Sequence, residues 1–323
     1  MTLEEKVGQL FFARCPSRGA EDALREYALG GYILFGRDFK DKTAQEVRDM
    51  TAALQAASPI PLLIGADEEG GTVVRLSSNS NLFPAPFASP RELYAQGGLD
   101  ALARDAAEKS AGLLSYGVNV NFAPVADVST DPADFIYKRS LGQDAETTAA
   151  YIAAVVKEMS TAGVGSVLKH FPGYGNNEDT HTGIATDRRP YEQFQREDFL
   201  PFRAGIDAGA GAVLVSHNIV VSMDPDLPAS LSPEVHRILR EELGFQGVAL
   251  TDDLDMKAAA AYAGESSPAV QALLAGNDMV VLADFEGEIP RVLSALAEGT
   301  LTEERIDQSV RRVLRWKQDL GLL

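Results

Sequence analysis

Two short stretches of the chain concentrate side chains that can transfer protons or act as nucleophiles. The first, residues 169–181, reads Lys-His-Phe-Pro-Gly-Tyr-Gly-Asn-Asn-Glu-Asp-Thr-His and holds two of the four histidines. The second, residues 251–256, reads Thr-Asp-Asp-Leu-Asp-Met. Each follows an apolar, strand-like run, and α/β proteins usually place their chemistry where a buried strand ends in a loop. We therefore expect both stretches to lie in the active site.

Asp252 comes directly after the apolar run 248–251. A carboxylate at the end of a buried strand costs free energy unless it has a partner or a task. Its functional interpretation is a nucleophile or a general base. The alternative is a structural acid that caps a helix or pairs with Lys257. Its neighbours Asp253 and Asp255 are expected to be capping or structural acids.

Asp179 and His181 place an acid two residues from an imidazole in a loop rich in Gly and Asn. An anionic neighbour orients such a ring and raises its pKa, so the ring can carry a proton near neutral pH. The alternative is an exposed loop with an incidental histidine. With His170 and Glu178 these residues could also bind a metal. Because no His-Glu-x-x-His spacing supports that site, we predict no metal and no other cofactor.

Further charged residues follow other apolar runs, and together they suit a ligand with many hydroxyl groups. Charge-assisted donors and acceptors can bracket vicinal hydroxyls. The candidate binding residues are Asp67, Arg75, Arg139, Lys169 and His170. Lys169 could instead pair with a neighbouring acid such as Asp127. A serine hydrolase built on Ser216 and His217 is disfavoured, because adjacent residues on a strand point apart and no Gly-x-Ser-x-Gly motif occurs.

Eight apolar runs, most of them separated by helical segments, provide the framework for these residues. The predicted strands are Val7–Ala13, Tyr32–Phe35, Pro61–Ala66, Val118–Val125, Val164–Leu168, Ala212–Val215, Val248–Leu250 and Met279–Leu282. The predicted helices are Glu21–Leu29, Thr43–Ala57, Asp100–Tyr116, Ala145–Ala162, Phe194–Ala208, Ser232–Leu243, Ser267–Ala275, Ile289–Glu298 and Thr302–Leu320. This alternation predicts a parallel sheet. Eight units in 323 residues favour a single (β/α)₈ TIM-type barrel over residues 1–323, without a second domain.

In such a barrel the polar residues fall into one pattern. Eight of them lie at or just past the C-terminal ends of strands: Asp67, Asp127, Lys169, His170, Ser216, His217, Asp252 and Asp284. That end of the barrel holds the active site in enzymes of this fold. The repetition on most strands makes this a stronger argument than any single residue does.

Composition excludes several classes of protein. The net charge of −18 disfavours binding to nucleic acids and to anionic membranes. The single cysteine, Cys15, excludes an intramolecular disulfide and a zinc-finger site. No apolar run reaches membrane-spanning length, and the first residues lack the pattern of a signal peptide. We expect a cytoplasmic monomer or weak dimer, although a chain trimmed of an export signal would look the same.

Several ordered motifs resemble the glycoside hydrolases of family 3, and specifically their β-N-acetylglucosaminidase branch. The signature Lys-His-Phe-Pro-Gly-x-Gly followed by Asp-x-His begins at Lys169. Other similar segments are residues 3–9, 67–71 with Arg75, 121–127, 139–140 and 251–256. Tyr174 departs from the pattern, since many relatives have His there.

The resemblance implies a retaining glycosidase that acts on a small carbohydrate, a GlcNAc-containing oligosaccharide or muropeptide. Asp252 matches the nucleophile, His181 with Asp179 matches the acid/base pair, and the five candidate binding residues match sugar-binding positions. Two related activities remain alternatives, a β-N-acetylglucosaminide phosphorylase and a broader β-glycosidase such as a β-glucosidase. A sugar-binding barrel without catalysis is the alternative of another class.

Overall fold

Eight parallel strands close into a barrel in this computed structural model, which describes residues 1–175, 185–256, 262 and 267–323. The barrel strands are β1 (Phe11–Arg14), β2 (Gly31–Leu34), β3 (Leu63–Ala66), β4 (Val120–Asn121), β5 (Gly165–Phe171), β7 (Ala212–Val215), β9 (Val248–Asp253) and β10 (Met279–Leu282). They are neighbours in that order, and β10 pairs with β1. Outside the barrel, β6 (Thr186–Asp187) pairs with β8 (Ile219–Val220). The TIM-type fold predicted from the sequence is confirmed.

Helices surround the barrel in the described part of the chain. They are α1 (Leu3–Gly8), α2 (Ala20–Tyr27), α3 (Gly36–Phe39), α4 (Ala44–Ala57), α5 (Pro90–Ser115), α6 (Ala145–Ala162), α7 (Tyr191–Arg196), α8 (Phe199–Asp207), α9 (Pro233–Arg237), α10 (Pro268–Ala275), α11 (Phe285–Ala297) and α12 (Glu303–Asp319). Short 3₁₀ segments occupy Phe135–Lys138 and Ala229–Leu231, and a π-helical turn, Ile238–Glu242, follows α9. None of the described helices is long and apolar enough to cross a membrane.

Caps read from the sequence set several helix ends. Thr43 accepts the backbone N–H of Glu46 while the Glu46 carboxylate accepts that of Thr43, so α4 begins where the capping box predicts. Ser232 caps α9 with Pro233 at its first position, also as predicted.

Several predicted elements are wrong in extent. Val7 belongs to helix α1, whose capping box pairs Thr2 with Glu5, and β1 therefore begins only at Phe11. The helix predicted from Asp100 begins at Pro90 and is broken by non-helical backbone at Gly97 and Gly98.

The segment predicted as one helix over Phe194–Ala208 is two helices, α7 and α8. The predicted strand Val118–Val125 shortens to β4. The most consequential difference is in β5, which continues through Phe171. Lys169 and His170 therefore lie on the strand and not in the loop after it.

The two ends of the barrel differ, since one is filled by packing and the other is open. At the N-terminal end Trp316 of α12 packs beneath the strands. A Cβ at Gly211 would lie 2.1 Å from the Trp316 indole nitrogen, and one at Gly165 would lie 2.9 Å from the same ring. Only glycine leaves room for the indole, so this end is sealed by packing. The opposite end is left for polar residues.

Candidate active site

The two-residue period of the strands accounts for two of the side chains at the open end of the barrel. Val167 and Leu250 belong to the apolar cluster inside the barrel, and side chains of a strand alternate between its faces. Lys169 and Asp252, two positions further on, therefore also point inwards, above that cluster. They line a cavity of about 320 Å³. Its other charged and histidine residues are Arg14, Asp67, Arg75, Arg139, His170 and Asp253.

Lys169 is the centre of a buried ion cluster. Its Nζ lies 2.9 Å from Asp67 Oδ1 and 2.6 Å from Glu69 Oε1. Arg139 donates two hydrogen bonds of 3.0 and 2.7 Å to the same glutamate. Burial would raise the pKa of Glu69, but Lys169 and Arg139 hold that pKa well below its usual range. Lys169 thus does pair with acids, but they are Asp67 and Glu69 and not Asp127.

Two acidic residues near this cluster, Glu69 and Glu68, were not predicted from the sequence to be part of the site. Glu69 joins Lys169 to Arg139, as just described. Glu68 is fully buried and accepts the backbone N–H groups of Arg75 and Leu76 at 2.9 and 2.7 Å. It thereby holds the loop that presents the Arg75 guanidinium 3.3 Å from Asp67. The available signal was the alternation of acids at 67 and 69 just past β3, the spacing of two side chains on one face of a strand.

His170 is held between an acid and a cation. Asp127 Oδ2 lies 2.7 Å from His170 Nδ1 and accepts the backbone N–H of His170 at 3.1 Å. Arg139 Nη2 lies 3.1 Å from the other ring nitrogen, Nε2. Arginine can only donate, so Nε2 accepts and Nδ1 carries the proton that is donated to Asp127. Asp127, predicted at the rim, therefore orients His170 from behind the cavity.

Asp252 lies on β9 at the wall of the same cavity and is half-buried. Its Oδ1 accepts the backbone N–H of Asp253 at 2.8 Å. Lys257, the salt-bridge partner considered from the sequence, lies outside the described residues. The structure therefore brings Asp252 together with Asp67, Lys169 and His170 at one end of the barrel.

Asp253 has a partner that the sequence did not indicate. Arg14, at the end of β1, binds its carboxylate through Nε and Nη2. Burial raises the pKa of Asp253 to about 6, although Arg14 and the N–H of Asp255 act in the opposite direction. The prediction of a structural acid at this position fits these contacts, but the acid also lines the cavity.

Several other predicted positions lie elsewhere or cannot be placed. Asp179 and His181 lie outside the described residues. Asp284 lies just past the end of β10, as predicted, but it is exposed, caps α11 by accepting the N–H of Gly287 and does not line the cavity. Ser216 and His217 are fully buried beside the cavity and do not line it.

The metal alternative can be examined at one of its four residues. Of His170, Glu178, Asp179 and His181, only His170 belongs to the described part of the chain. Both of its ring nitrogens already face protein groups, Asp127 and Arg139. The described residues contain no cluster of three or more potential metal-binding side chains.

Comparison with known proteins identifies the family of this chain. The model of the glycosyl hydrolase family 3 N-terminal domain matches residues 2–316. A beta-hexosaminidase of Xanthomonas campestris pv. campestris is 37% identical over 300 residues, which cover 91% of this chain and 89% of that protein.

Two solved structures illustrate the same relationship. A family 3 beta-N-acetylglucosaminidase from Paenibacillus superposes with a TM-score of 0.93 at 34% identity; this chain is covered completely and spans 63% of that one. A beta-N-acetylhexosaminidase from Beutenbergia cavernae gives a TM-score of 0.87 at 31% identity, covering 98% of this chain and 99% of its own.

Proposed function

The chain belongs to glycosyl hydrolase family 3, and from this premise we propose that it is a retaining exo-β-N-acetylglucosaminidase. Its substrates would be peptidoglycan fragments or chitooligosaccharides with a terminal β-linked N-acetylglucosamine. Relatives named beta-hexosaminidase support the sugar class. The observation that carries the proposal is the cavity at the C-terminal end of the barrel, where Asp252 faces the ion cluster of Lys169.

The first chemical step in this proposal forms a glycosyl-enzyme. A carboxylate oxygen of Asp252 attacks the anomeric carbon, and the bond from that carbon to the leaving oxygen breaks with its electron pair. His181, oriented by Asp179, donates a proton to the leaving oxygen. In the second step the same imidazole takes a proton from water, which attacks the anomeric carbon and releases Asp252 as a carboxylate.

The ion cluster suits the binding of sugar hydroxyls. Lys169 and Arg139 are donors, and Asp67 is an acceptor held in place by Lys169 and Arg75. His170 presents Nε2 beside Arg139. Because these groups already hold one another, little conformational entropy remains to be lost when a sugar binds. We propose Asp67, Arg75, Arg139, Lys169 and His170 as substrate-binding residues.

The test compares the hydrolysis of 4-nitrophenyl β-N-acetylglucosaminide and 4-nitrophenyl β-glucoside in the presence of EDTA. We expect nitrophenol to be released from the acetamido sugar at least about tenfold faster than from the glucoside, which corresponds to about 1.4 kcal/mol of additional transition-state stabilisation. Asp252→Ala should release none, because it lacks the proposed nucleophile.

Other outcomes separate the alternatives. A preference for the glucoside would overturn the proposed sugar, and loss of activity in EDTA would favour a metal enzyme. Formation of sugar 1-phosphate when phosphate is added would identify a phosphorylase. A binding-only barrel would cleave neither glycoside.

A further inference from the structure

His217 is a buried imidazole that the proposed mechanism does not use. It is the second residue after β7, and β7 pairs with β9, the strand that carries Asp252. The ring is fully buried and does not line the cavity. A polar ring in this position needs hydrogen bonds to offset its removal from water, and its contacts show where it acts.

The hydrogen bonds of the ring show which of its nitrogens donates to the backbone. Nε2 lies 2.9 Å from the carbonyl oxygen of Asp253, and Nδ1 lies 2.7 Å from Ser230 Oγ. A carbonyl oxygen only accepts, so Nε2 carries the proton. The Ser230 hydroxyl can donate to Nδ1, and this bond selects the same tautomer of a neutral imidazole. His217 is thus a directed donor to the backbone of Asp253.

Asp253 is held at two of its groups, the backbone carbonyl and the side-chain carboxylate. His217 and the N–H of Met256 donate to its carbonyl oxygen, the latter at 3.0 Å. Arg14 binds its carboxylate, which also accepts the N–H of Asp255 at 3.0 Å. With both the carbonyl and the side chain fixed, the backbone dihedral angles of Asp253 have little freedom. Its own N–H is then directed at the neighbouring side chain.

The group that receives this N–H is Asp252 Oδ1, at 2.8 Å. We propose that His217 is a positioning residue for Asp252 and acts through the backbone of Asp253. The inference rests on the proposed function, since it assigns a purpose to the orientation of the attacking carboxylate. Attack on an anomeric carbon requires alignment, and a displacement of about 1 Å can cost about 100-fold in rate.

The substitutions His217→Gln, His217→Leu and Ser230→Ala separate this role from simple packing. Glutamine places an amide nitrogen near the position of the histidine Nε2 and can still donate to Asp253. Leucine fills similar space without a donor. Ser230→Ala removes the hydroxyl that selects the tautomer and leaves the imidazole in place.

The readout is the rate at which Asp252 is labelled by 2-acetamido-2-deoxy-5-fluoro-β-glucopyranosyl fluoride, followed by intact-protein mass, with the labelled residue located by peptide mass mapping. In this reaction the bond from Asp252 oxygen to the anomeric carbon forms while the carbon–fluorine bond breaks and fluoride leaves. Fluoride needs no proton from His181, so the measurement isolates the nucleophile. The melting temperature of each variant shows what fraction is folded at the assay temperature.

We expect His217→Leu to label about 100-fold more slowly at saturating reagent, with the concentration for half-maximal rate changed less than about twofold. His217→Gln should recover to within about fivefold of the wild type, and Ser230→Ala should fall between the two. The sugar-binding cluster is not altered, which is why the loss should appear in the maximal rate. Folded His217→Leu protein that labels at the wild-type rate would overturn the inference, as would equal losses in the leucine and glutamine variants.

The same experiment distinguishes failure of the inference from failure of the proposed function. If the wild type is not labelled, or is labelled at a residue other than Asp252, the proposed nucleophile is wrong. If the wild type is labelled at Asp252 and the His217 variants behave alike, only the positioning role is wrong.

Discussion

Glu69 is the residue on which the arrangement of the candidate binding side chains depends. It is the common partner of Lys169 and Arg139, and it is almost fully buried. Breaking a buried ion pair by removing one charge costs about 3–5 kcal/mol, because the remaining charge stays buried without compensation. Lys169 and Arg139 share this carboxylate, so its removal would leave both cations without that partner.

We predict that Glu69→Gln lowers the free energy of unfolding by about 3 kcal/mol and raises KM for the aryl N-acetylglucosaminide at least about tenfold. Urea unfolding and initial-rate kinetics measure the two effects. Glu108→Gln, an exposed control with the same chemistry, should change stability by less than about 0.5 kcal/mol. An unchanged KM in Glu69→Gln would show that the cluster does not organise the binding site.

His181 permits a prediction that rests on chemistry alone. A general acid matters most when the leaving group is a poor one, because that group needs the proton. His181→Ala should therefore lose about 10²–10⁴-fold in kcat/KM on an N-acetylglucosamine disaccharide. It should lose far less on the 2,4-dinitrophenyl glycoside, whose leaving group departs without a proton. Equal losses on the two substrates would contradict an acid role for His181.

The residues that could be foreseen at the site share one property. Asp67, Lys169 and Asp252 directly follow apolar runs in the sequence, so the fold alone brings them to one end of the barrel. Glu69 and Arg14 were not foreseen, because their importance lies in partners from other strands, Lys169 and Asp253. Such pairs are distant in sequence, and strand order and register decide which side chains meet.

At the scale of elements, the connection after β5 is anchored by Arg189. Its guanidinium binds Asp187 at 2.7 Å and Asp198 at 2.9 Å, and it donates to the carbonyl of Gly173 at 3.2 Å. Gly173 has a φ of 121°, and a Cβ there would lie 2.3 Å from Asp198 Oδ1. Arg189 therefore ties together the two described ends of the connection that carries Asp179 and His181.

We predict that Arg189→Lys reduces activity on the N-acetylglucosamine disaccharide about tenfold more than activity on the 2,4-dinitrophenyl glycoside, since a lysine cannot reproduce the forked contacts to two carboxylates. The neighbouring Arg188 is exposed, and Arg188→Lys is the matched control that should leave both activities unchanged. The measurement is the ratio of kcat/KM on the two substrates. If Arg189→Lys lowers both activities equally, the contacts of Arg189 support the fold and not proton donation by His181.

Element boundaries were predictable where a local cap sets them and not where tertiary contacts do. The starts of α4 and α9 follow from Thr43 and Ser232, whose side chains act within three residues. The end of β5 does not follow from a local signal. Polar Lys169 and His170 remain on the strand because they bind Glu69 and Asp127 from other parts of the chain. Hydrophobic pattern alone ends that strand at Leu168.

At the scale of the whole molecule, the closed end of the barrel contains a buried lysine. Lys317 of α12 is fully buried, and its Nζ donates to Gln9 Oε1 at 2.6 Å. Gln9 in turn donates to the carbonyl of Ala28 at 2.6 Å. This chain of bonds fastens the last helix to the segments around β1. No acid binds Lys317 among the described residues, and burial lowers its pKa to about 7 from an ordinary value of 10.5.

Lys317 makes stability depend on pH in a definite direction. Between pH 7 and 10.5 the unfolded chain retains a proton on this lysine that the folded chain has released, so the free energy of unfolding should rise with pH by up to about 1.4 kcal/mol per unit. At pH 7 and below, the charged form is buried at a cost on the order of 5 kcal/mol. Lys317→Met should remove this cost but leave Gln9 without its donor, a loss of about 1 kcal/mol. We therefore predict that Lys317→Met is more stable than the wild type by about 4 kcal/mol at pH 6.5, and that this advantage shrinks as the pH approaches 10. Urea unfolding of both proteins across that range measures the difference, in which the titration of all other groups cancels.

The control is Lys157→Met, at an exposed position of α6. Its plot of unfolding free energy against pH should run parallel to that of the wild type. A parallel plot for Lys317→Met would mean that Lys317 does not titrate in the folded protein.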